Sequence, residues 1–198
     1  MAKLKLTKNE QKMQKDSLKR YQRYLPTLML KKQQLQAEIR AVEIRLDNLQ
    51  RNKERVDEGF GKWIAVFSED GVFTPDILKV TELVTCEGNI AGVAVTVFKG
   101  VKFEVAQYDL LEKPLWMDVA ITKMQESLSL DLELQCVRDQ QLRLKEELQT
   151  TSQRVNLFEK IKIPEAMANI KKIAVFLGDQ QTAAVVRGKI SKRDMEKA

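Results

Sequence analysis

Histidine, the side chain best suited to acid–base work near neutrality, is absent from this 198-residue chain. Its absence removes Ser-His and Cys-His nucleophiles and every His-bearing metal site, leaving carboxylates, lysines and tyrosines. Cys86 and Cys136 stand fifty positions apart without a Cys-x-x-Cys pair, so they offer neither a zinc site nor a disulfide framework and read as thiols of a reducing compartment. Gly59-Phe60-Gly61-Lys62 has a flavour of a phosphate loop, but Trp63 stands where Ser or Thr is needed and the four-residue spacer between glycines is missing. Gly59 reads instead as the stop of a helix. Glu146 and Glu147 fall on a polar helical face with nothing to raise a carboxyl pKa. No catalytic residue, metal site or cofactor is expected, and an enzyme is disfavoured.

The chemistry that remains is charge. Residues 3–32 hold ten Lys or Arg against Glu10 and Asp16, and Arg187, Lys189, Lys192 and Arg193 add a basic C-terminal end. Such runs are often only solvated faces; otherwise they suit an acidic surface. Nucleic acid ranks below acidic protein as that surface, because the aromatic interleaving of single-strand binders is missing and only Tyr21 and Tyr24 lie nearby.

Two helical arms must carry these charges. Thr7-Lys8-Asn9-Glu10 is a capping-box sequence, and no glycine follows until Gly59. Steps of three and four residues pick out Leu18, Tyr21, Leu25, Leu28, Lys32, Leu35, Ile39, Val42, Leu46, Leu49, Lys53 and Val56, a heptad seam with ten apolar members. Leu130, Leu134, Val137, Gln141, Leu144, Leu148, Thr151, Val155 and Phe158 repeat the spacing. The fold expected is mainly α: a long antiparallel two-helix coiled coil from the N- and C-terminal arms, with a small β-hairpin insert in the middle. Pro26 and Pro164 interrupt the pattern either as kinks at nearly one level of the pair or as helix ends.

The chain divides into an arm at 1–58, an insert at 59–116 and an arm with a tail at 117–198. The insert is net acidic where both ends are net basic, and it holds six of the eight glycines. Gly92–Phe98 and Val101–Val105 read as strands flanking a turn at Lys99-Gly100, a hairpin over about 92–106. Val101, Phe103 and Val105 face one way, against the neighbouring helices or as a docking surface, and Lys102 and Glu104 face the other. Met1–Gln14 has no signal-peptide core, and apolar stretches such as Ile173–Leu177 are too short to span a bilayer. A soluble intracellular protein without direct membrane insertion is expected.

Asn89-Ile90-Ala91-Gly92-Val93 with Phe98, then Arg154-Val155-Asn156-Leu157-Phe158-Glu159 before Ile163-Pro164, then Ile170-Lys171-Lys172-Ile173 with Phe176-Leu177, Asp179, Arg187, Lys189, Ile190 and Lys192 occur in that order. In these motifs the chain resembles the D-subunit family of V-type (A/V-type) rotary ATPases and ATP synthases. The resemblance implies a non-catalytic central-stalk rotor shaft, coupling ATP hydrolysis or synthesis to rotation and to proton or sodium transport. Its implied partners are the A and B subunits of the catalytic ring, the F subunit and the rotor subunit that links to the membrane ring. Its implied place is cytoplasmic, peripheral to the membrane. Lys8, Lys12, Lys15, Lys19, Arg187, Lys189 and Lys192 would face acidic parts of the ring. Gly178, Ala183, Ala184 and Gly188 stand where the resemblance implies bulkier, charged residues, so the last twenty residues fit either a helix or a flexible tail. A prefoldin-like coiled-coil chaperone subunit is the alternative on architecture, and a nucleic-acid-binding coiled coil stands third.

Overall fold

A computed structural model describes residues 4–61, 77–108, 114 and 116–195. Helix α1 spans Lys8–Gly61, strand β1 Leu78–Ile90, strand β2 Val93–Val105 and helix α2 Met117–Leu157; a π-helical turn, Phe158–Lys162, leads into helix α3, Ile163–Met195. Two long helical arms pack antiparallel, as the seams predict, and a two-stranded antiparallel hairpin stands between them in the chain. The chain forms two compact units, residues 33–149 and residues 1–32 with 150–198.

In the unit of residues 33–149, the seam residues Leu35, Val137 and Leu144 are fully buried and Ile39 and Val42 nearly so, with Leu46, Leu49 and Leu148 packed around them. Antiparallel order is visible in the polar contacts. Ser127 meets Asp57, Asp131 meets Lys53, Glu133 meets Arg45, and Gln141 and Lys145 both meet Glu43. Exposed pairs of this kind contribute about 0–1 kcal/mol each, so they set register while the apolar seam supplies stability.

The hairpin turn rests on that core: Ile90, Ala91 and Val93 pack against it. Ile90 pairs with Val93, so Ala91 and Gly92 form a two-residue turn, and both have positive φ, 51° and 81°. Positive φ at both central positions is what a type I′ hairpin turn needs. Alanine is unusual there, but its methyl group is half-buried against the core, and Asn89 Oδ1 accepts the Gly92 N–H at 2.9 Å.

The expected turn at Lys99-Gly100 is therefore corrected. Residues 93–105 form one continuous strand, in which Phe98 pairs with Thr85 and Gly100 with Val84, leaving Lys99 as a bulge. A glycine inside a strand marks a bulge as readily as a turn. Thr81 is the extra residue of a second irregularity, between Val80 and Glu82. Val101 and Phe103 are half-buried and Lys102 and Glu104 exposed, as the alternation predicts, whereas Val105 at the strand end is 39% exposed. Near the strand ends, Ile77, Met117 and Ile121 form a small cluster with Leu78, Tyr108 and Trp116.

In the unit of residues 1–32 with 150–198, Thr7 caps α1 through its Oγ1, which accepts the Glu10 N–H at 3.2 Å. Glu10 Oε1 takes the Gln14 side-chain amide instead of closing the box. Thr151, Val155, Ala166 and Ile173 are buried, and the Tyr21 and Phe158 rings lie 5.3 Å apart.

Several expected boundaries move. Helix α1 continues through Gly59 to Gly61 and runs through Pro26, so neither residue ends it. Pro164 is not a helix end either: it is the second residue of α3, behind the π turn. Of the two readings of the last twenty residues, helix is the one found, as far as Met195.

Candidate functional site

Lys8, Lys12, Lys15 and Lys19 recur at helical spacing and are exposed on one side of α1. Together with Gln11, Asp16, Leu18 and Gln22 they line an open groove of about 420 Å³. The four lysines are thus gathered into one positive concavity, with Asp16 as its acidic member.

Arg187, Lys189 and Lys192 are exposed on α3. From Gly178 onward every described side chain of this helix is exposed, including Val185 at 58%, Val186 at 50% and Ile190 at 55%. The seam behind this stretch ends at Leu177, half-buried, and Ile173, fully buried. A helix exposed on all sides, both apolar and basic, presents contact chemistry to whatever surrounds it.

Val101, Phe103 and Val105 belong to the other unit, on β2. The ten sequence-predicted residues therefore fall into three places: a lysine groove, an exposed helical end and a strand face.

Sequence reasoning missed the residues that seat the hairpin. Gln140, buried on α2, donates from Nε2 to the Thr96 carbonyl at 2.5 Å, and Arg143 donates to the Ala94 carbonyl at 3.4 Å. Gly88 on β1 is tightly packed against the other strand, because a Cβ there would stand 2.7 Å from a Val97 methyl. No signal in the sequence separates Gln140 from its neighbour Gln141, a seam residue that donates instead to Glu43. A second concavity, about 230 Å³, lies between the end of α1 and the start of α2, lined by Val56, Gly59, Val119 and Ala120 with Arg55 and Lys123. Of the phosphate-loop candidate, Gly59 to Gly61 are helical, while Lys62 and Trp63 lie outside the described residues.

Three groups have displaced pKa values. Lys53 is raised by its hydrogen bond to Asp131, and Tyr108 by donating its hydroxyl to Asp118. Burial pushes the Cys136 thiol up, helped by Asp139 and Glu133. A raised thiol pKa means less thiolate, the opposite of a reactive cysteine. Among the described residues no group of three His, Cys, Asp or Glu could hold a metal ion, and no helix is long and apolar enough to cross a membrane.

The architecture is that of a helical coiled-coil protein with a two-stranded hairpin between its arms. A profile of the family described as the ATP synthase D subunit matches residues 10–193. The V-type ATP synthase D subunit of Borreliella burgdorferi is 49% identical over 199 residues, covering 100% of this chain and 97% of the relative. That of Chlamydia trachomatis serovar L2 is 36% identical over 202 residues, covering 98% and 96%, and that of Chlamydia pneumoniae 35% over 196, covering 98% and 93%. The chain belongs to the ATP synthase D-subunit family.

Proposed function

We propose that the chain is the non-catalytic central-stalk subunit of a V-type ATP synthase or ATPase, a rotor shaft that couples ATP hydrolysis or synthesis to ion transport. The observation that carries this reading is the near end-to-end likeness to V-type ATP synthase D subunits. The physical arrangement agrees with it. A shaft needs a narrow internal seam, a charged exterior that fastens it at no single angle, and ends that present contacts. The helical pairing, the lysine groove and the exposed end of α3 meet those needs.

The partners in this reading are the A and B subunits of the catalytic ring, the F subunit and the rotor subunit linking to the membrane ring. Lys8, Lys12, Lys15, Lys19, Arg187, Lys189 and Lys192 face acidic parts of the ring, and Val101, Phe103 and Val105 form a docking face on the insert. The working place is cytoplasmic, peripheral to the membrane. The division into arms at 1–58 and 117–198 around an insert at 59–116 carries over as the functional division. Family membership displaces the prefoldin-like alternative.

The test is co-expression with the A, B and F subunits of the same source, followed by size exclusion and native mass. One copy per ring, with altered ATPase activity, is the expected outcome. A chain that elutes alone or as its own oligomer overturns the proposal. In the assembled complex, reversing several of the named lysines should uncouple hydrolysis from rotation.

A further inference from the structure

The two arms do not keep the same phase. In α1 the seam runs from Leu18 to Val56 in unbroken steps of three and four, straight through Pro26. In the C-terminal arm one series of buried residues is Val137, Leu144 and Thr151, each seven after the last; the next two, Ala166 and Ile173, are again seven apart. Between Thr151 and Ala166 the interval is fifteen, two heptads plus one residue. The second series slips at the same place. Leu134, Gln141, Leu148 and Val155 keep the heptad, and Ile163, Ile170 and Leu177 resume it one residue late, all of these three half-buried.

One surplus residue in an α-helix turns everything after it by about 100°. Ile173 would then leave the seam, and Glu165 and Lys172 would enter it. The arm avoids this with the π turn at Phe158–Lys162, where the Ile163 N–H reaches back five residues to the Phe158 carbonyl. A wider turn takes up one residue more than an α turn and returns the helix to phase. Pro164 fits the same account: it has no N–H to give, so neither the Glu159 nor the Lys160 carbonyl receives one from position 164. Glu159, Lys160 and Ile161 are exposed, so water reaches this face of the turn. On the inner side the Phe158 ring is held by Tyr21, and Pro26 lies little more than one helical turn along α1 from Tyr21.

We infer that Phe158–Lys162 stores a one-residue skip in the heptad register of the C-terminal arm and is the compliant joint of its unit, the place where the arm yields first under bending or twist. The reading rests on register and backbone bonding and stands independently of the central-stalk assignment. Widened hydrogen bonding beside a missing donor lowers the local cost of opening, while buried Thr151, Val155, Ala166 and Ile173 hold the arm on both sides. It also means that Lys160 or a neighbour can be removed with the seam left in phase.

Amide hydrogen exchange on the full chain tests the joint directly. Residues 158–163 should exchange at least about tenfold faster than 151–157 and 166–173. Exchange as slow as in those flanks overturns the inference. The stored skip is tested by two deletions in a Pro164→Ala background, read by thermal unfolding. Deleting Lys160 should hold or raise the melting temperature and slow exchange at the site to the level of the flanks, because it restores a continuous heptad. Deleting Glu146 should lower the melting temperature by several degrees, because it drives Leu148, Thr151 and Val155 out of the seam. If the Lys160 deletion is as damaging as the Glu146 deletion, no skip is stored there.

Discussion

The unit of residues 33–149 and the unit of residues 1–32 with 150–198 are built from the same kind of heptad helix, yet they are held differently. The first adds a third layer: the hairpin turn packs on Leu35, Val137 and Leu144, and Gln140 and Arg143 bind the backbone of β2. The second has only the seam, a π turn within it and a helical end exposed on every side. A two-helix seam alone buries little against the entropy of ordering its chain. Rigidity therefore comes from what is laid over the helices, and the bare stretches are where the molecule has surface to offer.

The largest expected effect separates the two directly. Leu144→Ala removes a fully buried side chain beneath the hairpin and should cost about 2–5 kcal/mol in urea unfolding of the full chain. Ile173→Ala, also fully buried but without a covering layer, should cost less, because the site can collapse. Equal losses would erase the distinction. Next comes Gly88→Ala, whose new methyl meets Val97 and should cost about 1–3 kcal/mol through overpacking. Amide exchange should quicken along β1 and β2 and leave 166–173 untouched.

A smaller effect follows from pH. The raised pKa values of Lys53 and Tyr108 mean that the protonated forms are favoured by folding, so their contribution is present below about pH 10 and fades as pH climbs through the raised values. The double variant Lys53→Met with Tyr108→Phe should therefore lose part of the alkaline decline in stability, read as unfolding free energy against pH. The smallest perturbation is chemical labelling. At neutral pH a maleimide should modify half-buried Cys86 well before buried Cys136, whose thiol also has its pKa pushed up. Labelling at equal rates would mean that the burial of Cys136 is readily lost by local opening.

The seam residues that build the core, Leu35, Ile39, Val42, Val137 and Leu144, are all read from three-four spacing, and Thr7 is read as a cap from its distance to Glu10. These were legible because periodicity and local capping depend on the sequence within a few turns. The hairpin turn was not. Ala91 takes a left-handed conformation that its type seldom adopts, stabilised by packing on residues about 50 positions away, while Lys99-Gly100 imitates a turn where the strand only bulges. The skip was partly hidden as well: the seam reads cleanly to Phe158, and its resumption at Ile163 is masked by a proline that looks like punctuation. For the site, exposure of the lysines could be anticipated from composition. The residues that clamp the hairpin could not, since Gln140 and Arg143 carry no motif and gain their role from a strand far along the chain.

The exposed end of α3 has a thermodynamic character of its own. An isolated helix of this length is marginal in water, because its first turn must be nucleated at high cost. Here nucleation is already done, since residues 178–195 continue a helix anchored by Ile173. They need only propagate, and so they should unravel from the tip inward by degrees, not in one cooperative step. Gly178 and Gly188 are weak points for propagation, and Ala183-Ala184 between them is a strong one. Heating should therefore shorten the helix gradually from Met195, and any surface that embraces this end lengthens it again, making helical length itself a gauge of contact.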